Sequence, residues 1–151
     1  RCNLHTIFCF NVLCCKRREL VLPYSSLTGR RVLVAEDNLI NIEVLRQYLD
    51  FLKIKSHFVT DGKQCIAELQ NDIYDCVLMD IQMPEMDGLA AIQQLRHDPN
   101  CGNIPIIALT ALAMAGDRER CLDAGANDYL SKPVRLKDLA STIHQLLSGS
   151  S

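Results

Sequence analysis

Five polar residues in this sequence stand at the ends of short apolar runs. Glu36 and Asp37 follow Arg31 to Ala35, Asp80 follows Cys76 to Met79, Thr110 follows Ile104 to Leu109, and Lys132 follows Asp128 to Ser131. If the runs are strands of one parallel sheet, their carboxyl ends share an edge and bring three carboxylates, a hydroxyl and an ammonium together. Carboxylates held that close repel one another and raise each other's pKa unless positive charge stands among them. A divalent cation that prefers hard oxygen ligands and leaves positions open to water or phosphate oxygens, as Mg²⁺ does, meets that need. Lys132 adds a cation for an anionic group on the far side. An aspartate beside such charges can attack phosphorus, because the metal and the ammonium offset the charge on the transferring oxygens, and Thr110 can donate to one of them. Chemistry of this kind rests on positioning and charge neutralisation.

The elements that must position these residues are legible in the pattern. From Arg31 onward a short apolar run followed by a segment of helical spacing recurs five times, which predicts βα units and a parallel sheet. The strands are expected at Arg31 to Ala35, Ser56 to Thr60, Cys76 to Met79, Ile104 to Leu109 and Asp128 to Ser131. Val32-Leu33-Val34 and Ile106-Ile107-Ala108-Leu109 do not alternate with polar residues, as expected where helices cover both faces. Leu45, Leu49 and Leu52, and then Leu136, Leu139, Ile143 and Leu146, give helices with one apolar stripe each. Asp61 and Asp87 suit helix N-caps and Gly125 a helix C-terminus. Right-handed crossovers then predict an α/β, flavodoxin-like, doubly wound (βα)5 three-layer sandwich with strand order 2-1-3-4-5. One domain is expected over 29–148, with 1–28 an N-terminal extension, linker or end of a preceding domain, and 149–151 a tail.

Composition excludes several classes. Lys and Arg total 16 against 18 Asp and Glu, so no general basic field attracts nucleic acid or an anionic membrane. The eight cysteines include no C-x-x-C pair, which argues against zinc. Cys65, Cys76 and Cys121 lie among apolar neighbours, as reduced thiols do in a cytoplasmic core. The apolar segment Leu4 to Cys15 is shorter than the roughly 20 residues of a membrane helix, and Ile7 to Phe10 reads at most as a strand of a preceding domain. His5, His57, His97 and His144 show no paired spacing and are assigned no chemistry.

Four stretches carry a resemblance. Val32-Leu33-Val34-Ala35-Glu36-Asp37-Asn38, Val77 to Gly88 with Asp80-Ile81-Gln82-Met83-Pro84 at its centre, Ala108-Leu109-Thr110-Ala111, and Tyr129-Leu130-Ser131-Lys132-Pro133 resemble the receiver domain of two-component response regulators. The resemblance covers about residues 29–148. It implies that Asp80 accepts a phosphoryl group from a phosphohistidine of a histidine kinase or histidine phosphotransfer protein. Asp37, Glu36, Asp80 and the backbone carbonyl of Gln82 would hold Mg²⁺, and Thr110 and Lys132 would bind the phosphoryl oxygens. Tyr129 would move inward with Thr110, the Lys132-Pro133 bond would be cis, and the surface around the fourth strand, fourth helix and fifth strand would switch. Asn38 and Asn41 resemble receivers fused to hybrid histidine kinases, so the parent protein is expected to be such a kinase, and the domain itself a monomer or weak dimer.

Each residue alone has a blander reading. Glu36-Asp37 would be a loop or helix cap, Thr110 and Lys132 surface polar groups, Tyr129 a half-buried packing residue. Only the joint placement argues for chemistry. A stand-alone or differently fused regulator remains an alternative. An aspartyl-nucleophile phosphatase is a remoter one, since Gln82 replaces the second acid such enzymes place two residues on. A flavodoxin-type carrier is opposed by Glu36-Asp37, which would repel an FMN phosphate. Leu112, two residues beyond Thr110, is expected to exclude attacking water and slow the loss of phosphate from Asp80.

Overall fold

The computed structural model describes residues 24–111 and 114–149. The expectations for residues 1–23, including the apolar segment and its cysteines, and for Leu112 fall outside them. Five strands, β1 (Arg31–Ala35), β2 (Lys55–Val59), β3 (Cys76–Asp80), β4 (Ile106–Thr110) and β5 (Asp128–Ser131), alternate with five helices. These are α1 (Leu39–Phe51), α2 (Gly62–Asn71), α3 (Gly88–His97), α4 (Ala115–Ala124) and α5 (Leu136–Ser148). All strand pairs are parallel and the order is 2-1-3-4-5.

Residue parity along the strands sorts the helices into two layers, because side chains alternate between faces. Leu33, Ala35, Val77, Met79, Ile106 and Ala108 pack with Cys65 and Leu69 of α2, Ile92 and Leu95 of α3, and Cys121 and Ala124 of α4. Val32, Val34, Cys76, Leu78, Ile107 and Leu109 meet Leu45 and Leu49 of α1 and Leu139 and Ile143 of α5. Fully burying each such Leu or Ile contributes about 1.5–3 kcal/mol. A 3₁₀ turn, Ser25–Leu27, joins the second layer: Leu27 is buried against it, and Tyr24 Oη bonds Ser141 Oγ at 2.9 Å.

Local chemistry fixes the boundaries. Asp61 and Asp87 cap α2 and α3 by accepting from the backbone N–H groups of Gln64 (2.8 Å) and Ala90 (2.7 Å). Strand β2 ends one residue earlier than expected because the Thr60 N–H donates to Gln64 Oε1 rather than continuing the sheet. Strand β4 starts at Ile106, two residues later than expected, since Pro105 has no N–H and the Ile104 N–H turns back to Cys101. Strand β3 runs on through Asp80, which pairs with Leu109. Helix α4 ends at Gly125, whose φ of 111° favours glycine.

The Arg96 guanidinium fastens the corner beside that glycine. It donates to the carbonyls of Gly125 (2.7 Å), Gly102 (2.8 Å) and Ile104 (2.8 Å), and to Asn127 Oδ1 (2.7 Å). Among the described residues no helix is long and apolar enough to cross a membrane.

Candidate functional site

Asp80 closes β3 and Glu36 directly follows β1, so the pairing of these central strands places both carboxylates at one edge of the sheet. With Asp37, the next residue of the same loop, they can each offer an oxygen within 4.8 Å of the others. Glu36 is fully buried, Asp80 is 3 % exposed, and Asp37 is open to solvent. A cleft of about 580 Å³ opens above them, with Gln82 and Lys132 in its wall and Leu39 and Ile40 at its rim.

Lys132 follows β5 and reaches across to both buried acids, its Nζ 2.7 Å from Glu36 Oε2 and 2.8 Å from Asp80 Oδ2. The approach to Glu36 is that of an ion pair rather than of an aligned hydrogen bond. The Lys132-Pro133 peptide is cis. Burial pushes the Asp80 carboxyl above its ordinary range. The Lys132 ammonium and the Gln82 N–H, 3.1 Å from Asp80 Oδ1, pull the other way, while Glu36 adds repulsion. An all-oxygen donor set of clustered carboxylates suits a hard divalent cation such as Mg²⁺.

The first turn of α1 is part of the site. Asn38 Oδ1 caps the helix by accepting from the N–H groups of Ile40 (3.0 Å) and Asn41 (3.2 Å). Its own N–H and the Asn41 amide both donate to Glu36 Oε1, at 3.1 and 3.3 Å. Sequence reasoning read these asparagines only as marks of resemblance. The usable signal was an N-cap residue type with a second amide three residues on, directly after a strand-end acid.

The other expected residues lie beside the acids rather than among them. Thr110 is 4 % exposed and lines an adjoining cavity of about 230 Å³, with Gln82, Asp117 and Cys121. Tyr129 is half-buried against the α2–α3–α4 layer, with the Arg118 guanidinium 5.8 Å from its ring centre. Five polar groups therefore gather at one edge in two adjoining depressions.

A buried acid pair bridged by a lysine at the carboxyl edge of a 2-1-3-4-5 parallel sheet defines a flavodoxin-like α/β protein with an acidic surface site. A family model described as the response regulator receiver domain matches residues 32–144, and the chain belongs to that family. It is similar, at 40 % identity over 118 residues, to hybrid signal transduction histidine kinase G of Dictyostelium discoideum, an alignment covering 76 % of this chain and 3 % of that protein. Among solved structures it resembles the receiver domain of sensor histidine kinase PA1611 from Pseudomonas aeruginosa, which has a magnesium ion coordinated in its active-site cleft. That match has 39 % identity and a TM-score of 0.75, and covers 80 % of this chain and 99 % of the other. It also resembles the Saccharomyces cerevisiae receiver domain of Ssk1, solved in complex with the histidine phosphotransfer protein Ypd1. Here the identity is 29 % and the TM-score 0.73, with 81 % and 91 % of the two chains covered. The chain spans from 3 % to 15 % of the length of curated histidine kinases it matches. It is thus a receiver domain of two-component phosphorelay signalling, homologous to those of hybrid histidine kinases.

Proposed function

We propose that Asp80 is the phosphoacceptor. An Asp80 carboxylate oxygen forms a bond to the phosphorus of a phosphohistidine, the P–N bond breaks, and the imidazole leaves. The observation that carries this reading is the Lys132 ammonium within ion-pair distance of Asp80 at the floor of an open acidic cleft. Glu36, Asp37, Asp80 and the Gln82 backbone carbonyl would hold Mg²⁺, which supplies charge neutralisation for the transferring oxygens. Lys132 holds Asp80 as the carboxylate and then offers its ammonium to the incoming phosphoryl oxygens. Thr110, on the other side of Gln82, binds one of those oxygens and is drawn inward, and Tyr129 follows it, altering the surface of β4, α4 and β5.

The donor is a histidine kinase or histidine phosphotransfer protein. The rim favours a protein surface there, since Leu39 and Ile40 are 80 % and 74 % exposed at the mouth of the cleft. The domain works in the cytoplasm as a monomer or weak dimer, within a hybrid histidine kinase. Incubation with phosphoramidate and Mg²⁺ tests the acceptor, with intact-mass detection of wild type and Asp80→Asn. Wild type is expected to gain one phosphoryl group and the variant none. Equal labelling of both would sink the assignment.

A further inference from the structure

Glu36 is fully buried, and its two oxygens are held from opposite sides. Oε2 faces the Lys132 ammonium at 2.7 Å, while Oε1 accepts from the Asn38 backbone N–H at 3.1 Å and from the Asn41 side-chain amide at 3.3 Å. The backbone donor comes with any residue at position 38. The amide donor does not. Asn41 sits in the first turn of α1, where its own N–H is tied to the Asn38 cap, so its backbone is fixed and its side chain can lean back toward the strand-end loop. Leu39 and Ile40 beside it are exposed, while Asn41 is half-buried and lines the cleft.

The chemistry at this position is narrowly constrained. A cationic side chain would compete for Glu36 with Lys132 and with any metal. A carboxylate would add a fourth negative charge to the cluster, and an apolar one would leave Oε1 a single donor. A neutral amide is a fixed donor that changes no charge. We propose that Asn41 is a positioning residue for Glu36: its amide sets the rotation of the carboxylate, so that Oε2 is the oxygen offered to cations in the acidic cluster. This rests on the reading that Glu36 belongs to a Mg²⁺ site. Partners that orient metal-binding side chains typically account for ten- to a hundredfold in affinity.

A double-mutant cycle on the full chain tests it, with Mg²⁺ affinity read from backbone amide shifts and folding from circular dichroism. Asn41→Ala is expected to weaken Mg²⁺ binding about tenfold. In a Glu36→Gln background the same change is expected to cost less than about twofold, because its effect passes through the carboxylate. Asn41→Gln, which keeps an amide donor, is expected to recover most of the affinity. If Asn41→Ala does not fold, Asn41→Ser, a shorter donor, takes its place in the cycle. Equal losses in both backgrounds, or none in either, would overturn the proposal while leaving the receiver site intact. A wild-type chain that binds no Mg²⁺ would overturn the site reading itself, and this proposal with it.

Discussion

The Lys132 ammonium lies 2.8 Å from Asp80 Oδ2, so the residue proposed to accept phosphate already has a positive charge in contact with it. The same nitrogen serves the fully buried Glu36. Removing one partner of a buried ion pair strands the other, which typically costs 3–5 kcal/mol. Lys132 is 16 % exposed, and water screens part of that. Lys132→Ala is therefore expected to lose about 2 kcal/mol in urea denaturation with a chelator present. Added Mg²⁺ should raise the midpoint more in the variant than in wild type, since it neutralises acids the lysine no longer serves. Equal stability of the two proteins in chelator would show that the bridge contributes nothing.

A glycine holds the acceptor strand in place. A Cβ on Gly88 would fall 2.1 Å from the Asp80 carbonyl oxygen and 2.8 Å from Ile81 Cα, both backbone atoms. Gly88→Ala should thus push the α3 start away from β3, with a loss of about 3 kcal/mol and of phosphorylation at Asp80. Gly116 in α4 is the contrasting site, where a Cβ would meet nothing within 4 Å. Gly116→Ala should stabilise by about 0.5–1 kcal/mol through helix propensity. Thermal melts of the two variants decide whether close approach governs the first.

The buried thiols make an alkaline prediction. Burial pushes Cys65 and Cys76 up to about 12 from an ordinary 9.0. An acid whose folded pKa is raised gives stability that is whole below the unfolded value and lost as pH rises toward the folded one. The urea midpoint is expected to fall between pH 9 and 12, and a Cys65→Ala, Cys76→Ala double variant should show a shallower decline. Ellman's reagent at pH 8 should label these two cysteines only on unfolding. Rapid labelling of the native protein at either position would contradict the placement.

At acid pH a surface pair is informative. The Arg31 guanidinium, hydrogen-bonded to Asp72, holds that carboxyl at about 2, helped by the Ile73 N–H. A depressed carboxylate stabilises above its unfolded pKa, and the contribution is lost as pH falls from about 4 through 2. Both side chains are more than two-fifths exposed, so solvent screening keeps the contribution small. Carbonyl NMR titration should find Asp72 near 2 in wild type and closer to the ordinary carboxylate range in Arg31→Ala. An unmoved midpoint would assign the depression to the backbone donor instead.

Sequence alone carried the five-strand order and both helix layers, because uninterrupted apolar runs and helical stripes report burial on two faces. Asp61 and Asp87 were legible as caps for the same reason: their chemistry is local. The ends of β2 and β4 were less so, since they depend on where the Thr60 and Ile104 N–H groups find partners. At the site, convergence of Glu36, Asp37, Asp80 and Lys132 followed from strand ends. The placement of Thr110 in a neighbouring depression, and the Asn41 amide on Glu36, depend on side-chain directions across different elements, which spacing does not encode.

The four hydrogen bonds of Arg96 have a mechanical consequence. They tie the Gly125 end of α4 to the last turn of α3 and to the loops leading into β4 and β5, and the buried described side chains of α4, Cys121 and Ala124, also lie in that half. At the other end Met114 gives the helix no side-chain cap. A rod clamped at one end responds to a push near the other by pivoting. A push from the depression that Thr110 shares with Asp117 and Cys121 would therefore displace the helix most at its Met114 end and least at Gly125.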